Sequence, residues 1–359
     1  MARSWGFWTR YKLELLKSYL NAFTTTTKTH SQKRVYLDLF GGEPENVDRD
    51  TLDPIDGSAR IALNTEDPPF THLRFFELEP NATKLRSALS EEFAGRDWVV
   101  YPGDSNITIH QALADLRSAD AGWAPTFAFI DPNGPHYTWK TLEALAAHKG
   151  PKAKTKVELW MLFPDPLFAR LLPVTGEVRP VDNAAITGMF GDPQWHAIWK
   201  AKLDEEIGPA DARTEYVNLM RWRLEQILGY TWTHQLEMRN TRDLPIYHMI
   251  FATDSKPGHD IMTHLYDQAA SEFPAMAREA RSLRGRLKRE AQGEFDLFST
   301  IDASSLPEPA NQVTSGRRER LYVHEAPDEP RPHDPLNCPY CDSPVTRDFS
   351  PGLGLSPGA

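Results

Sequence analysis

The stretch YTWTHQLEMRNTRDLPIYHMIFAT, residues 230–253, decides how the whole chain is read. Two runs rich in β-branched and aromatic residues, 230–239 and 244–253, flank the turn-forming NTRD. That spacing predicts a β-hairpin with antiparallel arms. Upstream the pattern differs. RVYLDLF (34–40), LRFFELE (73–79), DWVVYPGD (97–104), TFAFIDP (126–132) and VELWMLF (157–163) are short apolar runs that read as strands buried on both faces. GSARIALN, NATKLRSALSEEFA, NITIHQALADLRSA and TWKTLEALAAHK separate most of them and carry helical spacing. Strands alternating with helices imply right-handed crossovers and a doubly wound α/β fold. Five parallel strands followed by an antiparallel terminal hairpin are therefore expected.

The remaining segments attach to this frame. Residues 1–30 supply an N-terminal helix, with Leu13, Leu16, Tyr19, Leu20 and Phe23 on its apolar face. The domain spans 31–266 and includes a helical insertion at 165–229, read from AAITGMFGDPQWHAIWKAKL and TEYVNLMRWRLEQIL. A basic helix follows at 267–292, its Arg278, Arg281, Arg284, Arg286, Lys288 and Arg289 forming either a solvated face or a phosphate-binding one. Residues 293–359, dense in Pro, Ser and acids, are expected to be largely extended or disordered.

A net charge of -10 excludes a surface coated in nucleic-acid-binding charge but leaves room for a local groove. No apolar run is long enough to span a bilayer, and the N-terminus has no signal-peptide core, so a cytoplasmic protein without a membrane partner is expected. Cys338 and Cys341 cannot build a disulfide framework. With His333 they fall short of four zinc ligands, so no metal site of the chain's own is expected, and a solvent-exposed tail or half of a site shared with a partner both stay open.

Candidate chemistry collects after the strands. Asp38 ends the first, and Gly41 and Gly42 let backbone approach a ligand. The acidic stretch EPENVDRDTLDPI reads as a loop beside the site, before a helix with Gly57 in its turn and Ser58 as N-cap. No GxGxxG is present, which argues against a dinucleotide pyrophosphate. Glu77 and Glu79 compete for the place where doubly wound folds hold ribose hydroxyls, and Glu77 is favoured because the apolar run of FFELEP ends there. Asp104 can either accept from an adenine amino group or cap the next helix. Asp131-Pro132 ends the fourth strand, with His136, Tyr137 and Trp139 just beyond. Four successive strands thus end in acids at one edge, the edge where such sheets bind ligands. His248 and His259 read as structural.

The strand order is similar to that of class I S-adenosylmethionine-dependent methyltransferases, whereas nicotinamide-binding folds continue with parallel strands. Enzymes of that class that methylate exocyclic amines follow an acid or amide with Pro-Pro and an aromatic. DPNGPHY (131–137) resembles this motif, with Asn133 in place of the second proline and the aromatic displaced to Tyr137. The resemblance implies that Asp131 and the Pro132 carbonyl orient an amine while Tyr137 or Trp139 stacks a nucleobase. It also implies S-adenosylmethionine held by Asp38, Gly41, Ser58, Glu77 and Asp104. KLELLKSYLNAF, YLDLFGG, GSARIAL, FFELEP, GDSN, FIDPNG, MFGDPQWHAIW and YHMIFATDSKPGHDIM, in this order over residues 11–266, resemble the three-Cys-motif partner protein family (TcmP). That resemblance implies a methyltransferase-like fold and partnership with a three-Cys-motif protein similar to radical S-adenosylmethionine enzymes. Two functions follow from it as expectations: methylation of a nucleobase amine in nucleic acid, or a non-catalytic accessory role bound to that partner.

Overall fold

The computed structural model describes residues 3–5, 7–43, 46–48, 54–151, 153–240, 244–291 and 313–314. A short strand β1 (Arg3–Trp5) leads into the long helix α1 (Phe7–Thr27). Next come β2 (Val35–Asp38), β3 (Asn46–Asp48), β4 (Pro54–Ile55), α2 (Ser58–Leu63), β5 (His72–Glu77) and α3 (Asn81–Glu92). β6 (Trp98–Pro102), α4 (Ser105–Ser118), β7 (Thr126–Ile130), α5 (Trp139–Ala147) and β8 (Glu158–Phe163) continue the alternation. Four helices then interrupt it: α6 (Asp165–Leu171), α7 (Pro180–Phe190), α8 (Trp195–Leu203) and α9 (Pro209–Gln226). The chain returns to the sheet as β9 (Trp232–Arg239) and β10 (Pro245–Thr253), and α10 (Lys256–Ala291) follows without a break.

The main sheet has the order β11-β9-β10-β8-β7-β2-β5-β6, where β11 is the pair Val313–Thr314. β6, β5, β2, β7 and β8 run parallel, and β10 lies antiparallel between β8 and β9. The sheet is thus mainly parallel and flanked by helices, a Rossmann-like α/β arrangement. Every residue of β2, β7 and β8 is buried, which is why these strands read as unbroken apolar runs rather than alternating ones. The 230–253 stretch forms an antiparallel pair, its second arm lodged against β8.

Alternate strand residues feed two cores. One face packs Leu37, Ile130, Met161 and Ile250 against α4, α5 and the helices between β8 and β9. The other packs Tyr36, Phe129, Trp160 and Phe251 beneath α1 and the start of α10. There Tyr19 meets Phe127 and Phe251 with ring centroids 5.2 and 5.1 Å apart, fixing α1 on the sheet.

Two sequence expectations need correction. The acidic segment is not simply a loop: Asn46–Asp48 pairs antiparallel with Pro54–Ile55 and parallel with β1, as a separate three-stranded sheet. Strands of two or three residues leave no readable periodicity. The N-cap of α2 is Gly57 rather than Ser58; the Gly57 carbonyl accepts the first helical bond from Ile61, and Ser58 is the first helical residue. Apart from β11, residues 293–359, including Cys338 and Cys341, lie outside the described residues.

Candidate functional site

β2 turns towards β5 on one side and β7 on the other, so the loops after these strands part at a topological switch point. A cavity of about 400 Å³ opens there. Its walls come from the loops after β2, β5, β6 and β7 and include Gly42, Glu43, Glu77, Asp104, Asp131 and His136.

Backbone hydrogen bonds build the first wall. Gly41 N–H donates to the Phe76 carbonyl at 2.8 Å, and Gly42 N–H donates to Glu77 Oε2 at 2.7 Å. Gly42 has φ +71°, a conformation that favours glycine. Gly41 is needed for packing instead: a Cβ there would stand 3.0 Å from Leu85 Cδ2. The backbone that approaches the cavity therefore belongs to Gly42, not to Gly41. Glu77 Oε1 accepts from Leu78 N–H at 2.9 Å, so each carboxylate oxygen keeps acceptor capacity for a ligand hydroxyl.

Asn106, for which the sequence suggested no role, ties the opposite wall together. Its amide nitrogen donates to Asp104 Oδ1 at 2.9 Å and to the His136 carbonyl at 2.7 Å. Its oxygen accepts from Thr138 N–H at 2.9 Å and from the Thr141 hydroxyl at 2.7 Å. With two donors and two acceptor sites all used, the side chain is saturated and locks the loop after β7 to the start of α4. Asp104 is the N-cap of α4, accepting from Asn106 N–H at 2.9 Å, and it also faces the cavity. The capping reading of Asp104 is the one the geometry shows.

Asp38 is fully buried behind the cavity floor. Burial pushes its carboxyl up to about 7, against the hydrogen bonds from Ser58, Phe40 N–H and the Tyr36 hydroxyl, while the charge of Asp131 adds to the rise. Ser58 thus serves Asp38 and does not reach the cavity wall.

Asp131 does hold an amine, but it is the chain's own. The Lys12 ammonium, on α1, ion-pairs with Asp131 Oδ2. It lies 5.9 Å from the Phe129 ring centroid and 5.6 Å from that of Tyr247. The Tyr247 hydroxyl is buried without a hydrogen-bond partner among the described residues, and burial, then the Asp131 charge, raise its pKa. Pro132 is buried and lies off the cavity wall.

Tyr137 cannot stack on a ligand as placed. It is 1% exposed and packs into the core on the α5 side, its hydroxyl without a hydrogen-bond partner among the described residues and its pKa raised by burial. Trp139 is buried as well, with the Arg223 guanidinium 4.5 Å from its ring centroid. The exposed ring at the wall is His136.

Four carboxylate side chains thus line the cavity, from Glu43, Glu77, Asp104 and Asp131, and no Lys or Arg does among the described residues. Such a wall favours a cationic or hydroxyl-rich ligand and repels phosphate. No group of His, Cys, Asp and Glu among the described residues could hold a metal ion, and no described helix is long and apolar enough to cross a membrane.

No family model matches the chain, and no curated protein matches it. Among solved structures it is similar to the crystal structure of protein LPL1258 from Legionella pneumophila, of family DUF519. The identity is 13% and the TM-score 0.40, over 84% of this chain and 96% of that one. So distant a likeness carries no functional inference.

Proposed function

We propose that the cavity binds S-adenosylmethionine and that the chain transfers its methyl group to an amine, with a nucleobase of nucleic acid as the acceptor class. The observation that carries this reading is the acid-lined, cation-free cavity at the switch point. A sulfonium cation suits that wall, whereas a nucleotide pyrophosphate would meet four carboxylates. Its size falls within the range of small-molecule sites. Glu77 would take the ribose hydroxyls through its remaining lone pairs, Asp104 the adenine amino group, and the backbone at Gly42 the methionine portion. Asp38, held by Ser58, would back that portion from behind with a carboxyl that burial keeps partly protonated near neutrality. The strand order, with β10 reversed between β8 and β9, is similar to that of class I methyltransferases and supports the reading by analogy alone.

Bound there, S-adenosylmethionine would supply a methyl group on a cationic sulfur. The N–C bond to the amine forms as the S–C bond breaks, the neutral thioether is the leaving group, and the methylated nitrogen gives up one N–H proton to solvent. The chain's part is positioning. Asp131 accepts an N–H of the acceptor and turns the nitrogen lone pair towards the cavity, which serves the reaction by orientation. The test is incubation with labelled methyl donor and nucleic acid, with and without a three-Cys-motif partner. Label should pass to the base with the wild type and fall sharply with Asp131→Ala. Equal transfer by the variant would remove Asp131 from the reaction.

A second reading has its own support. Asp131 is already paired with Lys12, Asn133 replaces the second proline of the amine motif, and Tyr137 is buried. These features suit an accessory subunit that keeps the cavity and binds the three-Cys-motif partner without turnover. Ligand binding with no transfer in any combination would select it.

A further inference from the structure

Lysine is seldom buried unless it is paired, because its ammonium loses hydration. Lys12 is 4% exposed. It reaches Asp131 across 119 residues of sequence. α1 delivers it rigidly, since Tyr11, Leu13, Leu16, Tyr19, Leu20 and Phe23 are all buried against the sheet. The ammonium meets one carboxylate oxygen and two aromatic faces within range of cation–π attraction. Asp131 Oδ1 carries no hydrogen bond among the described residues, and Asp131 lines the cavity.

We propose that Lys12 is a positioning residue for the acceptor: its ammonium takes Oδ2 of Asp131 and leaves Oδ1 as the carboxylate oxygen open to the cavity. This rests on the amine-transfer reading above. A carboxylate without Lys12 would turn about its own bond and offer an acceptor either oxygen. Held as it is, it takes one N–H in one direction, which fixes where the nitrogen lone pair points. A remaining N–H of a primary amine must then find its partner elsewhere in the loop after β7.

The test compares wild type with Lys12→Ala, Lys12→Met and Lys12→Arg in the full-length chain. S-adenosylmethionine affinity and methyl transfer to a mixed-sequence oligonucleotide are measured with the partner present. A misplaced reacting group costs on the order of a hundredfold in rate, so Lys12→Ala and Lys12→Met should lose at least about tenfold in kcat. Affinity for S-adenosylmethionine should stay within about twofold, because Lys12 lies off the cavity wall. Lys12→Arg should keep more activity than Lys12→Met. In Lys12→Ala, n-propylammonium, which replaces the missing atoms, should restore transfer and raise the melting temperature, while n-propanol should do neither. Should Lys12→Ala fail to fold, Lys12→Met, which keeps the volume without the charge, carries the comparison. Wild-type rates in Lys12→Met, or equal rescue by the alcohol, would reduce Lys12 to packing and overturn the proposal alone. A wild type that binds S-adenosylmethionine and methylates nothing would overturn the transfer reading and this positioning role with it.

Discussion

Two charged clusters sit at the carboxyl edge of the sheet, and they are built in opposite ways. At the end of β8, Asp165 is fully buried and meets His248 at 2.7 Å and Arg213 at 2.9 Å. Arg213 continues to Glu237 at 2.6 Å, and Arg239 closes the chain on Glu237 at 2.6 Å. Each acid has a cation, and the cluster ties α9 to the sheet. Around the ends of β2, β5, β6 and β7 the balance is different. Glu43, Glu77, Asp104 and Asp131 line a cavity with Asp38 behind it, and the one cation found against them is Lys12 among the described residues. Paired charges brace a fold, whereas acids gathered without partners leave capacity for a ligand. The cavity acids run from the fully buried Asp38 to the exposed Asp104, so burial alone does not define the contrast. Pairing does.

The largest expected effect falls on the braced side. Asp165→Ala leaves Arg213 and His248 facing a hole, and breaking a buried pair from one side costs about 3–5 kcal/mol. Urea unfolding should show that loss, while S-adenosylmethionine affinity of the folded variant should stay within about twofold. A large loss of affinity would mean that the two clusters are one site.

Glu77→Ala should do the reverse. Hydrogen bonds to a charged group contribute about 1.5–3 kcal/mol each, so affinity should fall at least about tenfold. Calorimetry on the variant checks it; unchanged affinity would move the ribose away from β5.

The pH dependence sharpens the contrast further. The Asp38 carboxyl lies at about 7 in the folded chain, well above the usual aspartate value near 4 in an unfolded one. The folded state therefore holds this proton more tightly, and the stability that Asp38 contributes is full at low pH. It is lost as pH rises from about 4 through about 7 and is constant above. Asp38→Asn has no such proton to lose. Relative to it, the wild type should weaken across that window in urea unfolding at pH 5, 6, 7 and 8. A flat difference would show that Asp38 is already ionised at low pH.

These contrasts also mark what the sequence could show. Strands such as 126–130 and 157–163 and the 230–253 hairpin are legible because burial on two faces and turn chemistry are local signals. The acids at the strand ends are legible for the same reason. Which acids have partners is not, since Lys12 meets Asp131 only after the chain has folded across the sheet. Gly41 and Gly42 are adjacent and look alike; a positive φ and the side chain of Leu85 separate their duties. His136 and Tyr137 share a loop with no period, so packing alone decided which ring turned inward. Asn106 had one faint signal, its place two residues after a helix-capping Asp104.

A smaller effect tests the wall that Asn106 holds. Asp104→Ala removes a side-chain cap, worth about 1 kcal/mol of stability, and one anchor of Asn106. Thermal unfolding should register a drop of that size, with a modest loss of ligand affinity beside it. No change in either would leave Asp104 without a part in cap or cavity.

Calorimetric titration of the folded wild type with S-adenosylmethionine, its demethylated product and NAD tests the cavity most directly. One S-adenosylmethionine should bind per chain, the demethylated product should compete for the same site, and NAD should give no heat, because its pyrophosphate meets four carboxylates. Heat from NAD at this site, or none from S-adenosylmethionine with the protein folded, would contradict the assignment of the acid-lined cavity to a sulfonium ligand.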